Sequence, residues 1–359
     1  MYPFHLPEIS LNIVPLIWCI ISLSKFFVQD GFHLLKKKLV SYFHVFATNF
    51  ILRTLSPFVS LSSLIVIILL RKYLAGGFCC NDVSLNGQYV VITGANCGIG
   101  KETAIELASR GAKLILACRD VKKAEEVAKF IREKYHSQVL VEKLDLASFE
   151  SVKSFASKIS QNYKEIHCLI NNAGIMMCPY METKNGLEMQ MGVNHFGHFL
   201  LTLLLLPILK NSSRARIINL TSIAHYRGRI PFEDFKYKNG YNSFKAYGNS
   251  KLANILHLRH LSKLLQGTNI QVFALHPGAV QSELGRHLPI GFNFVYSKLL
   301  SFFCKTTKEG AQTTIYCATE AVQHPMIYFS DCLPDKPSKE ALNDEKAEKL
   351  WKISEEIKY

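Results

Sequence analysis

An α/β fold, a doubly wound parallel sheet in a single domain, is predicted by three features of the sequence. Strands alternate with helices, one apolar run breaks into a glycine-rich turn, and the alternation continues from Leu85 to about Phe329. The turn is Thr93-Gly94-Ala95-Asn96-Cys97-Gly98-Ile99-Gly100, spaced Gly-x-x-x-Gly-x-Gly rather than the commoner Gly-x-Gly-x-x-Gly. Tyr89 to Ile92 ahead of it reads as a buried strand, and Lys101 to Arg110 behind it as an amphipathic helix. Glycines permit the tight turn and a close backbone approach. The helix N-terminus offers free N–H groups and the positive dipole end to a diphosphate. Together they make a Rossmann-type nucleotide cradle, with Gly94, Asn96, Cys97, Gly98, Ile99 and Gly100 against the ligand. Taken alone, the spacing also fits an ordinary strand–helix turn.

The remaining elements follow in order. Lys113 to Ala117 is the second strand, and Asp120 caps a charged helix, Val121 to Tyr135. Gln138 to Lys143 is the third strand, ending at Asp145-Leu146, and Ser148 caps a helix to about Gln161. His167 to Ile170 is the fourth strand and runs into Asn171-Asn172-Ala173-Gly174. Leu187 to Leu209 and Phe244 to Leu265 are long helices, with a fifth strand, Arg216 to Leu220, between them. Gln271 to Leu275 is the sixth strand. The domain is expected over 85–330, with 331–359 set apart as a C-terminal tail.

Residues 1–80 are organised differently. Ile9 to Ser24 is uncharged but only 16 residues long, whereas Thr54 to Leu70 gives 17 uncharged residues followed by Arg71-Lys72. Roughly 17 residues is the lower limit for crossing a bilayer. The expectation is therefore a transmembrane anchor at 54–70, an extension over 1–53, and a domain on the cytoplasmic side of Arg71 and Lys72. A cleaved signal and a soluble amphipathic arm are the alternatives. Gly76-Gly77-Phe78-Cys79-Cys80 reads as a short flexible joint. Net charge is +14, from 42 Lys+Arg against 28 Asp+Glu. With no zinc spacing, basic helix or aromatic RNA-binding motif, no nucleic-acid partner is expected. An anionic membrane surface and a phosphorylated cofactor account for the excess. The ten cysteines form no C-x-x-C pair, which fits a reducing compartment, and no metal site is expected.

Several residues carry chemistry. Cys118 stands where an acidic residue would bind the ribose of NAD, and Arg119 follows; a guanidinium there suits a 2′-phosphate, hence NADP(H). The alternative is a surface ion pair. Asp145, with Leu146, is a candidate for the adenine amino group or simply a cap. Asn172, Ala173 and Gly174 close the fourth strand beside the cofactor. Tyr247 and Lys251 share a helix face, four residues apart, so a cation stands near a phenol whose ordinary pKa is about 10. Ser222, at the end of the fifth strand, is placed to hold a carbonyl oxygen. Asn194 sits mid-helix among apolar neighbours and suggests a water-mediated relay to Lys251. His195 and His198 read as structural.

The set Thr93-Gly94-x-x-x-Gly98-x-Gly100, Asn171 to Gly174, Asn194, Ser222, Tyr247-x-x-x-Lys251 and Pro277-Gly278 resembles the short-chain dehydrogenase/reductases over about 85–330. Longer strings, Leu169 to Tyr180, Gly192 to Thr202 and Ser250 to Leu256, are similar to the membrane-anchored, NADP-preferring retinol dehydrogenase branch, near retinol dehydrogenases 11, 12 and 13. Phe329-Ser330-Asp331-Cys332 is similar to that branch as well. The resemblance implies Tyr247 as acid/base, Lys251 as its pKa modifier and ribose ligand, Ser222 as carbonyl holder and Asn194 in the relay. It also implies Pro277, Gly278, Val280 and Ser282 near the nicotinamide, and a homodimer through the two long helices.

Gly285 to Cys304 is aromatic and apolar and is expected to form a lid, or else to pack on the core. A lipophilic aldehyde or alcohol is the expected substrate, all-trans-retinal first, with hydroxysteroids or medium-chain lipid aldehydes as alternatives. A catalytically silent NADP-binding scaffold is the reading from another class. The expected location is a membrane, the endoplasmic reticulum before a mitochondrial membrane or lipid droplet.

Overall fold

In the computed structural model, which describes residues 57–287, 303–320 and 327–357, eight strands join in the order β3-β2-β1-β4-β5-β6-β7-β8. These are β1 Tyr89–Thr93, β2 Lys113–Cys118, β3 Val139–Lys143, β4 Cys168–Asn171, β5 Ala215–Leu220, β6 Ile270–His276, β7 Tyr328–Ser330 and β8 Leu333–Pro334. All pairings are parallel except β7 with β8. The helices are α1 Pro57–Ala75, α2 Gly98–Ser109, α3 Val121–Tyr135, α4 Phe149–Asn162, α5 Met189–Lys210, α6 Ser243–Leu264, α7 Thr307–Thr319 and α8 Asp344–Glu356. The chain divides into units at 1–70 and 71–359. The extension expected over 1–53 and most of the expected lid lie outside the described residues.

Near-continuous apolar strands follow from helices covering both faces of the sheet. Alternate residues of each strand feed opposite cores. Val91, Ile115, Leu169 and Ile217 pack with Phe155, Phe199 and Leu256 on one side. Val90, Ile92, Leu116 and Ile218 pack with Leu107, Ile131 and Ile315 on the other. The caps expected from sequence form: Asp120 accepts from the Lys123 amide, and Ser148 from that of Ser151.

The sequence set 331–359 apart, yet this stretch packs as part of the domain. Asn343 caps α8, whose Leu350 and Trp351 enter the same core as α5 and α6. Trp351 meets Phe199 at 4.9 Å and His260 at 5.0 Å between ring centroids, so α8 packs against both long helices. Helix α5 is long and apolar enough to cross a membrane, but 78% of that stretch is buried; it is a core helix. The expected anchor falls on α1, where Ile65, Ile68 and Leu69 are exposed.

Residues 76–80 are also not the loose joint expected from sequence. Arg71 donates from Nη2 to both carboxylate oxygens of Glu309 in α7, at 2.8 and 2.6 Å. The Cys79 amide donates to Gln312 Oε1 at 3.1 Å, and Asn81 Nδ2 to Thr319 Oγ1 at 3.0 Å. The glycines are there for close approach: a Cβ on Gly77 would overlap the Asp331 carbonyl.

Candidate active site

Parallel strands end at one edge of the sheet, and a doubly wound sheet presents its crevice there, beyond the strand C-termini. β1 ends in Thr93, β4 in Asn171 and β5 in Leu220, and the expected site residues gather on the chain just past them. Thr93 Oγ1 accepts the backbone N–H groups of Asn172 and Ala173, both at 2.9 Å. Asn172 Nδ2 donates back to the carbonyls of Thr93, at 2.7 Å, and Gly94, at 3.2 Å. The glycine turn and the Asn171–Gly174 loop are therefore one braced unit.

The chain offers a dinucleotide cradle. Gly98 has φ +57°, and a Cβ there would meet only Ser282 Cβ, at 3.6 Å, whereas one on Gly100 would crowd Asn172 and Gly94 at 2.5 Å. No side chain caps α2 at Cys97, so its first-turn N–H groups lack an intrahelical acceptor. Ile99 lies within that first turn. Beside it opens a cavity of about 480 Å³ whose lining includes Asn96, Cys97, Gly98, Lys101, Lys123 and Glu283. Burial pushes the Cys118 thiol up to about 11, so it carries no negative charge at the end of β2. Arg119 is exposed and makes no ion pair among the described residues, against the surface-pair alternative. These features fit a dinucleotide.

Asp145 is half-buried and engaged locally. Its Oδ1 accepts from the Ala147 amide at 3.1 Å, closing a turn ahead of Ser148, the residue that caps α4. Leu146 is buried against Gly197 of α5, where a Cβ would lie 2.5 Å from the Leu146 carbonyl. Pro277, Gly278, Val280 and Ser282 follow β6; Val280 bridges in parallel to Lys305, and Ser282 faces Gly98.

Tyr247, Lys251 and Ser222 come together. Ser222 stands near enough to the Tyr247 phenol to oppose its upward pKa shift, and its hydroxyl caps the turn behind it by accepting from the Ala224 amide at 3.2 Å. Lys251 Nζ lies 5.7 Å from the Tyr247 ring centroid and donates to the Leu220 carbonyl at 3.1 Å. Burial pushes the Tyr247 phenol up to about 12, Ser222 opposing, and pushes Lys251 down to about 8. Desolvation outweighs what lowers the phenol's pKa, so the net shift is upward. Tyr247 is therefore a protonated acid at neutral pH.

Asn194 sits in a five-residue π-turn, Gly192–Phe196, within α5. Such turns free backbone groups for other partners and recur at functional sites. Its Oδ1 accepts the Ile175 amide at 2.9 Å, and its Nδ2 donates to the Ile175 carbonyl at 3.0 Å and to Ser250 Oγ at 2.9 Å. A Cβ on Gly174 would lie 3.3 Å from Asn194 Oδ1 and 3.5 Å from Lys251 Nζ, so Gly174 keeps the space between them open.

His198 does more here than pack. Its Nδ1 faces the Asn194 carbonyl at 3.1 Å and must donate, leaving Nε2 to accept from Thr93 Oγ1 at 2.9 Å. Burial holds this imidazole down at about 4, so it is neutral. It ties the glycine turn to the π-turn, a role that nothing in its sequence context announces. His195 instead bonds Ser354 Oγ of α8 at 3.0 Å, a packing role as expected. Among the described residues no cluster of metal-ligating side chains forms.

Comparison with known proteins agrees with this geometry. Residues 88–289 match the short chain dehydrogenase family. Human retinol dehydrogenase 12 is 51% identical over 291 residues, covering 80% of this chain and 92% of that protein. Human retinol dehydrogenase 11 is 50% identical over 288 residues, covering 79% and 90%. A solved structure of an uncharacterised Mycobacterium paratuberculosis protein, 36% identical, superposes with a TM-score of 0.65 over 79% of this chain and 97% of its own. The chain belongs to the short-chain dehydrogenase family, whose cofactor is NAD(P).

Proposed function

We propose that this short-chain dehydrogenase is an NADP(H)-dependent oxidoreductase of lipophilic aldehydes and alcohols, with all-trans-retinal and retinol as its principal pair. The observation that carries the reading is the group of half-buried Ser222 with buried Tyr247 and Lys251, in a fold whose α2 N-terminus has no side-chain cap. The identity to retinol dehydrogenases 11 and 12 supports the retinoid. Uncharged Cys118 and unpaired Arg119 support a 2′-phosphate on the cofactor.

When bound, the reduced nicotinamide supplies the hydride. The residues of this chain do the rest. Gly98 to Gly100 and Arg119 bind phosphates, while Asn172, Ala173 and Gly174 border the ribose. Ser222 holds the carbonyl oxygen, and Tyr247 gives that oxygen its proton. Lys251, charged below about pH 8, stabilises the phenolate left behind. Asn194 and Lys251, on either side of Gly174, line the route by which the proton returns to Tyr247. Reduction is the direction assigned. The domain is held on the cytosolic face of the endoplasmic reticulum by 54–70, which would deliver lipid-dissolved substrate.

Membranes carrying the protein should oxidise NADPH on addition of all-trans-retinal, weakly with NADH in its place. Tyr247→Phe should lose about 10³-fold in rate, within the range for removing a general acid. Turnover of nonanal but not retinal would move the substrate to lipid aldehydes. No turnover by folded, NADPH-binding protein would overturn the enzymatic reading.

A further inference from the structure

The turn joining β7 to β8 is Asp331-Cys332, and both residues have left-handed backbones, φ 50° and 60°. Such a pair of non-glycine residues is held only where its surroundings impose it. Three contacts do so. The Cys332 amide donates to Thr313 Oγ1 of α7 at 3.3 Å. The Asp331 carboxylate pairs with Lys305, a lysine only 5% exposed. Gly76 and Gly77 press on the turn from outside, since a Cβ on Gly76 would overlap both the Asp331 carboxylate and the Lys305 ammonium.

Lys305 passes this contact on to the loop after β6. Its amide donates to the Ala279 carbonyl at 2.7 Å, and its carbonyl accepts from the Gln281 amide at 2.9 Å. Its side chain lies along Gly278, where a Cβ would stand 2.8 Å from Lys305 Cδ and Cε. On the far side, Gly310 of α7 receives Val280 so closely that a Cβ there would approach Val280 Cγ2 at 2.5 Å. The segment 71–81, bound to α7 through Glu309, Gln312 and Thr319, thus connects through one ion pair to the loop 277–282.

We propose that Lys305 and Asp331 are positioning residues, clamped by the segment Gly76-Gly77, that hold the loop 277–282 against the nicotinamide end of the cofactor. This rests on the reading of that loop given under the proposed function. The membrane-proximal segment thereby becomes part of the cofactor site's scaffold rather than a tether.

The test uses the full chain in detergent and two ligands, NADPH and 2′-phospho-ADP-ribose, which lacks the nicotinamide. Lys305→Gln should weaken NADPH about tenfold and the fragment by no more than about twofold, because of this loop only Ser282 faces the phosphate cradle, at Gly98. Lys305→Arg should return NADPH affinity to within about twofold of the unsubstituted chain. Arg71→Gln loosens the segment without a steric clash and should weaken NADPH about threefold, again sparing the fragment. Equal loss for both ligands, or no loss for NADPH, would overturn the proposal. If the unsubstituted chain binds NADPH no tighter than the fragment, the loop reading falls and the proposal with it.

Discussion

Lys251 and Lys305 are both buried in this domain, and their surroundings differ in one respect. Lys305 has the Asp331 carboxylate; Lys251 has a backbone carbonyl and the ring face of a phenol, and no carboxylate pairs with it among the described residues. Buried charges are ordinarily paired, because desolvation is costly. At Lys251 the cost remains and appears as a pKa brought down to about 8. A charge near its titration point can respond to a proton leaving Tyr247. A charge paired with a carboxylate, as at Lys305, can hold a loop. A lone buried cation in a cleft marks chemistry; a paired one marks scaffolding.

The largest effect should separate the two lysines by their tolerance of arginine. Lys251→Arg keeps the charge but replaces a compact ammonium with a broader planar group in a fully enclosed space. Its NADPH-dependent retinal reduction should fall by about 10²–10³-fold, whereas Lys305→Arg should stay close to the unsubstituted rate. Equal losses in steady-state kinetics would erase the distinction.

Next in size is a pH effect. Below about 8 Lys251 is an ammonium and supports the nascent phenolate; above it that support is withdrawn, while Tyr247, at about 12, keeps its proton. Reduction should therefore decline by about tenfold per pH unit beyond 8. The neighbouring imidazoles of His198 and His276, held at about 4 by burial, add no acid limb between pH 5 and 7. Lys305→Gln should keep the same alkaline limb at a lower amplitude. A flat profile to pH 10 would deny Lys251 its titrating role.

The two lysines also differ in how readily the sequence exposes them. Lys251 belongs to a local pattern, Tyr247-x-x-x-Lys251, and a helix converts that spacing into a shared face. Thr93, Gly98, Asn172 and Ser222 were equally legible, since each stands at a strand end marked by the shift from apolar run to turn. Strands β1 to β6 emerge within a residue or two of their expected bounds for the same reason. β7 and β8 did not, because three and two residues give no periodicity to read. Helix α8 carried a signal, Asn343 before an amphipathic run ending near Trp351, but its charge made it resemble a solvated tail. Lys305 and Asp331 are 26 residues apart with no local pattern, and only the fold brings them together. Gly76-Gly77 misled, because a close approach and a flexible joint both call for glycine.

The smallest effect probes how much of the Lys305 role is charge. Asp331 is half-exposed, its side chain 52% accessible, so water screens the pair and its Coulombic worth is at the low end, up to about 1 kcal/mol. Asp331→Asn keeps the shape and one acceptor oxygen for the Lys305 ammonium, and the left-handed backbone suits asparagine as well as aspartate. NADPH affinity should then drop by no more than about fivefold, the counterpart of that energy, with the fragment again nearly unaffected. A loss as large as that of Lys305→Gln would mean that the carboxylate, not the lysine's contact with Gly278, holds the loop. The contrast between the two lysines would then rest on their partners alone.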